Sequence, residues 1–222
     1  MQGPSHLMVS WFFADACRLE TARERRIVAW SGLAPDFDVL AYAGAIVYYQ
    51  LDKDMAFEKV WSVVHHRYTH GITFILVTGI VAWLLARGPK RARVALLAVA
   101  ASVLHNFLDV VGGGPTWPIY PLWPLSDFGW TASWSWTLAD WPNHVVLFGC
   151  LAATIVYARI AGRSPVEVFG DRADRWFADV VQQKAATTTA AGGRRIAVRA
   201  IIWIAVILLV VAALAPLGFH LG

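Results

Sequence analysis

Uncharged stretches alternate along the chain with short charged ones, and the longest reach membrane-crossing length. Ala200 to Phe219 is twenty residues without a charged side chain, about what roughly 30 Å of hydrocarbon requires of a helix. Gly71 to Ala86 is a second apolar run, extending backward through His70 and His66. Val94 to Val111 and Val145 to Ala158 are further spans, the former carrying His105 and Asp109. Two N-terminal stretches are less clean. Pro4 to Cys17 is apolar but short, and Ile27 to Tyr49 is interrupted by Pro35, Asp36 and Asp38. The pattern predicts an all-α, polytopic membrane bundle of five to six helices, the first either crossing or lying in the interface. Residues 1–161 form the expected membrane domain, 162–195 a cytoplasmic linker and 196–222 a C-terminal transmembrane helix. The first seventeen residues lack the basic start and small-residue cleavage site of a signal peptide.

Composition agrees with the pattern. Of 222 residues, 58% are hydrophobic and only 15% charged, against about 25% charged in ordinary soluble domains. The mean hydropathy is +0.52. A soluble fold of this length could not hide so much apolar surface, which excludes a soluble enzyme and a disordered chain. Cys17 and Cys150 are too few and too far apart for a disulfide framework. The net charge of +4 raises nucleic acid as a partner, but the cations cluster between apolar runs as membrane flanks do, so no nucleic acid is expected. Arg18, Arg23, Arg25 and Arg26 follow the first segment, Arg87, Lys90, Arg91 and Arg93 the third, and Arg159 and Arg163 the fifth. Residues 112–141 hold no Lys or Arg, and 52–58 are acidic on balance. Cytoplasmic basic loops put both termini outside.

Ionisable groups inside spans are costly and usually functional. Here they are His6, Asp36, Asp38, His66, His70, His105 and Asp109, with Asp140 and His144 at the start of the fifth span. His66 and His70 are four apart, as are His105 and Asp109, so on α-helices each pair shares a face. Imidazole and carboxylate are common ligands of zinc and other divalent ions. Counting along helices tests whether these groups can meet. From a turn at residue 90, His70 lies twenty residues back and Asp109 nineteen forward; from a turn at 22, His6 and Asp38 each lie sixteen away. His144 is fifteen before Arg159. Four helices therefore bring ligand-type residues to one level, towards the outer leaflet. His65 reads as interfacial, His220 as a terminal residue without a role, and Asp140 and His144 as either supports behind the ligands or interface residues. The Trp-rich stretch from Trp117 to Trp141 reads as an aromatic belt.

With these residues assembled, the chain resembles the inner-membrane-associated, metal-dependent hydrolases of the YdjM type, a family also labelled LexA-binding. The resemblance rests on His6, then Pro35-Asp36-Phe37-Asp38, then His66-Arg67-Tyr68-Thr69-His70, then His105-Asn106-Phe107-Leu108-Asp109, then Gly112-Gly113-Gly114-Pro115. It covers roughly residues 4 to 126 and keeps order and spacing. One small hydroxyl residue of the family pattern is replaced by Gly71. The His-x-x-x-Asp helices are also similar to those of zinc-dependent phospholipase C, by analogy. The resemblance implies a bacterial inner-membrane protein.

The expectation is a metal-dependent hydrolase with its site in the outer half of the membrane, binding one or two divalent ions, with zinc as first choice. His6, Asp36, Asp38, His66, His70, His105 and Asp109 are the candidate ligands. Asp36 or Asp38 would act as base, and Arg67 would hold an anionic oxygen through its planar fork or else snorkel at the interface. The expected partner is a membrane lipid or lipid-linked small molecule carrying a phosphoester. Two alternatives are a haem-binding electron carrier and a metal-ion transporter. Carboxylates speak against haem, and a single depth speaks against a pathway, which needs sites spread through the bilayer.

Overall fold

A computed structural model describes residues 1–182. The expected last helix, Ala200 to Phe219, and the low-complexity run Thr187 to Gly193 lie outside the described residues. Within them the fold is all-helical; the only extended pairing is an isolated bridge between Ile119 and Trp130. The chain divides into two compact units, Met1–Leu138 and a second beginning at Ala139.

In the first unit, α1 (Gly3–Ala16) carries Pro4 in its first turn, where the missing N–H costs nothing. α2 (Ala22–Leu33) opens with a capping box: Thr21 accepts from the Glu24 backbone at 3.2 Å, and Glu24 accepts from Thr21 at 3.1 Å. Pro35 ends it, and Ala34–Asp38 forms a 3-10 turn before α3 (Val39–Tyr48). The expected 27–49 span is thus two helices broken at its acidic turn. α4 (Lys53–Thr69) is helical where an acidic connecting loop was expected at 52–58, and it is π-helical over Phe57–Trp61 and Val64–Thr69. It meets α5 (Ile72–Leu85) at a 64° bend. α6 (Arg91–Gly112) returns antiparallel to α5.

Helices α1, α2, α5 and α6 pack around Ala14, Leu19, Val28, Ala86, Val94 and Ala101, where small side chains let helices approach closely. This core lies at the basic end of α6. At that end Lys90 reaches Glu20 at 2.7 Å and holds its carboxyl below the ordinary range. The buried stripe of α6 then climbs through Ala98, Ala101 and Ser102 to His105 and Asp109. Asp109 is eighteen residues beyond Arg91, about 27 Å along the axis. One helix face therefore carries apolar packing at one end and buried ionisable side chains at the other.

The second unit contains α7 (Trp141–Ala161), closed by Gly162 in the left-handed conformation, and α8 (Asp171–Val181). Ser164 accepts from the Val166 backbone at 3.2 Å and donates to Asp174 at 2.8 Å. The described part of the stretch assigned to a linker is therefore largely helical. His144 and Asp140 belong to this unit, with His144 Nδ1 3.2 Å from the Asp140 carbonyl. Among the described residues, α6 and α7 are long and apolar enough to cross a membrane, and the bent α4–α5 pair is a third candidate.

Candidate metal centre

The bend between α4 and α5 sets the geometry. In an α-helix His66 and His70 would share a face. Here the chain from Val64 to Thr69 is π-helical, with i→i+5 bonding, so residues five apart align instead. His65 thus turns toward His70, ring centroids 4.1 Å apart. His66 turns away: its Nδ1 is bonded to the Pro118 carbonyl, and its ring packs 4.2 Å from Trp117. Asn106 fixes the bend by donating to the His70 carbonyl at 2.7 Å. Gly71 permits it, because a Cβ there would lie 2.4 Å from the Arg67 carbonyl and 2.8 Å from that of Trp123. The hydroxyl residue of the family pattern would not fit at this bend without a backbone shift.

Four groups converge beside the bend. His70 Nε2 lies 3.1 Å from His105 Nε2, and each lies 3.1 Å from Asp109 Oδ2. Asp36 Oδ1 is 3.6 Å from His105 Nε2. One ligand atom from each of Asp36, His70, His105 and Asp109 falls within 4.8 Å of all the others. All but Asp36 are buried, and the Asp36 side chain is 22% exposed. The two ends matched by residue counting, 70 and 109, do meet.

Hydrogen bonds behind the cluster decide what its atoms can offer. His105 Nδ1 donates to the Gly32 carbonyl at 2.7 Å. Thr69 Oγ1 gives its proton to the Asp38 carboxylate at 3.1 Å, so it accepts from His70 Nδ1 at 3.0 Å. With Nδ1–H of both neutral rings spent, each Nε2 presents a lone pair. Three lone pairs then face one another across about 3 Å. That arrangement repels unless a cation lies among them; the Met1 amino group and His6 reach only the other oxygen of Asp109. A histidine–histidine–aspartate trio with a more open carboxylate at its edge fits a catalytic metal, which keeps a position free. The second ring nitrogen of each histidine is held by an oxygen, as metal-ligating histidines normally are.

His6 supports this cluster without joining it. Its ring stacks on His105 at 3.7 Å, and its Nε2 donates to Asp109 Oδ1 at 2.9 Å, an oxygen also bonded to the Met1 amino group. Asp38 faces elsewhere. It accepts from Trp61 at 3.2 Å, His65 at 2.7 Å and Thr69 at 3.1 Å. Asp38, His65 and His70 form a second group of potential ligands, but a carboxylate supplied with three donors has no need of a cation. Arg67 pairs with Asp127 at 3.4 Å and lies 4.8 Å over the Tyr120 ring. His66 and Arg67 stand in neither ligand group among the described residues. His65, placed at the interface from sequence, is buried beside Asp38. The five-residue interval from His65 to His70 was the only signal for it.

Comparison with known proteins adds the family. The model of the YdjM inner membrane protein family matches residues 1–215, and the chain belongs to that family. No curated protein and no solved structure matches it.

Proposed function

We propose that this member of the YdjM inner membrane protein family is a metal-dependent hydrolase acting on a phosphoester, of a lipid or lipid-linked molecule, at the His70–His105–Asp109 cluster. The observation that carries the reading is the donor balance: converging lone pairs whose neighbouring N–H groups are all committed elsewhere. His70, His105 and Asp109 would hold one divalent ion, with Asp36 at the open edge; imidazole nitrogens and carboxylates suit zinc. When bound, the ion would lower the pKa of water and polarise the scissile group.

The rest falls to the chain. Asp36, whose Oδ1 lies 3.6 Å from His105 Nε2 at the open edge, is suited to take a proton from the attacking water. His6 fixes the Asp109 carboxylate, and the Gly32 carbonyl and Thr69 hold the two rings in the ligating tautomer. Asp38 is a positioning residue acting through Thr69 and His65. Arg67 is half-exposed, and its pair with the 79% exposed Asp127 is of a kind worth about 0–1 kcal/mol. Its fork can leave that pair for an anionic substrate oxygen. The haem alternative fares worse, because two Nε2 atoms 3.1 Å apart leave no gap for a porphyrin plane.

Asp36→Asn separates base from ligand. In zinc-loaded protein, hydrolysis of a chromogenic phosphodiester in detergent should fall about 100-fold or more, the worth of a general base, while metal content falls far less. Equal loss of metal and activity would make Asp36 a ligand only. Metal-loaded protein inert toward phosphodiester and phosphomonoester probes alike, free or lipid-linked, would remove the hydrolase reading.

The site's side of the membrane has its own test. Leu125 is 80% exposed in the loop beyond the site end of α6, and Lys90 lies at the basic end. With Cys17 and Cys150 replaced by Ser, Leu125→Cys in intact cells should react with a membrane-impermeant maleimide, and Lys90→Cys only after lysis. The reverse result would put the cluster on the cytoplasmic side.

A further inference from the structure

A cavity of about 510 Å³ runs between α2 and α5, clear of the metal cluster's ligand atoms. Its walls are apolar along most of its length: Ile27, Trp30, Phe74, Val77 and Val81 face it. Its two hydroxyls are turned inward. Ser31 donates to the Ile27 carbonyl at 2.8 Å and Thr78 to the Phe74 carbonyl at 2.9 Å, so neither has a proton left to donate to an anionic occupant. Polarity is confined to one end, where Arg23 and Arg26 open the groove at the start of α2. Arg23 donates through Nε and Nη2 to the Leu85 carbonyl, at 3.1 and 2.7 Å, capping the last turn of α5. Two of its five N–H groups are used there, which fixes the guanidinium at the rim with donors remaining.

A long apolar slot with two cations at one mouth is the complement of an amphiphile with one anionic head. Val77 and Val81, on the slot wall, are 48% and 46% exposed on α5, half of a candidate membrane span, so the slot opens to the bilayer. Arg23 and Arg26 lie at the basic end of the bundle, the level where anionic headgroups sit. We propose that the α2–α5 groove binds one anionic phospholipid, its phosphate at Arg23 and Arg26 and one acyl chain along Ile27, Trp30, Val77 and Val81. This site is distinct from the metal cluster and does not depend on the hydrolase reading. Ala34 and Phe37 line the groove's far end, and the same turn delivers Asp36 to the cluster. The lipid would therefore brace the turn that holds the open edge of the metal site.

The test is lipid retention by native mass spectrometry of the full chain, delipidated in detergent and then offered phosphatidylglycerol or phosphatidylcholine with identical acyl chains. One phosphatidylglycerol per chain should be retained, and phosphatidylcholine at least tenfold less. Arg23→Gln with Arg26→Gln should lower phosphatidylglycerol binding by tenfold or more, in line with two cations near an anionic surface. Because Arg23 also caps α5, Val77→Trp serves as a second variant. It fills an exposed part of the groove, keeps both arginines, and should lower retention similarly with helicity unchanged. Equal retention of the two lipids would overturn the proposal. So would phosphatidylglycerol binding that survives both the double arginine variant and Val77→Trp, since the lipid would then be merely annular.

Discussion

If the cluster holds a metal as proposed, His105→Ala is expected to abolish metal retention while leaving the protein inserted and helical. Its ring supplies one of three atoms that meet within 3.1 Å, so its removal leaves His70 and Asp109 alone at the centre of the cluster. Loss of a group merely holding a ligand costs about 10–100-fold in affinity, so loss of the ligand itself should cost at least the upper figure. Asp109→Asn should do the same with volume kept, because it removes the carboxylate charge that His6, His70 and His105 surround. Insertion depends on span hydrophobicity and basic flanks, which neither change touches. The informative contrast is His66→Ala. Sequence spacing makes His66 the equal of His70, yet its Nδ1 is bonded to Pro118 and its ring packs on Trp117. Metal per chain, measured by elemental analysis, should be near wild type in His66→Ala and near zero in His105→Ala. The opposite ranking would mean that the π-helical register of α4 is wrong.

Gly32→Ala is the second large effect, and it acts without removing a polar atom. A Cβ at residue 32 would lie 1.9 Å from Ser10 Oγ and 2.6 Å from Ser10 Cβ, across the α1–α2 contact. One helix must shift, and overpacking of this kind costs about 1–3 kcal/mol. The Gly32 carbonyl also holds His105 Nδ1, while α1 carries His6 against Asp109 and His105. The shift should therefore weaken metal binding by about 10–100-fold and lower the melting temperature of the metal-free protein as well. Ser10→Gly in the same chain gives back the space. If the double variant regains metal affinity, the helix spacing is the cause; if it does not, the carbonyl acts for another reason.

Much of this site was legible in the sequence. Uncharged runs and basic flanks marked α6, α7 and the apolar half of the bent α4–α5 pair, and counting from the turn at residue 90 brought His70 and Asp109 to one level, where their atoms lie 3.1 Å apart. Pro35 announced a break between acidic residues. Which carboxylate entered the cluster was not readable, because a 3-10 turn separates Asp36 from Asp38 by a rotation that neither an α-helical nor a strand period supplies. The same limit hid His65. An α-helical period pairs 66 with 70, whereas the π-helical segment pairs 65 with 70 and sends His66 to the tryptophan-rich loop. The residues that orient the ligands escaped for a different reason. Gly32 acts through its carbonyl, and Thr69 and Asn106 through single bonds across the fold, none of which leaves a periodic mark.

Metal analysis of the wild-type protein, purified without chelator and followed by X-ray absorption at the metal edge, tests the central claim most directly. A metal centre built on His70, His105 and Asp109 requires about one divalent ion per chain. For zinc, its neighbours should be nitrogen and oxygen at roughly 2.0–2.2 Å, with scattering from two imidazole rings and none from sulfur. Protein that is folded and zinc-exposed but carries no stoichiometric metal, or that shows no imidazole scattering, would contradict it.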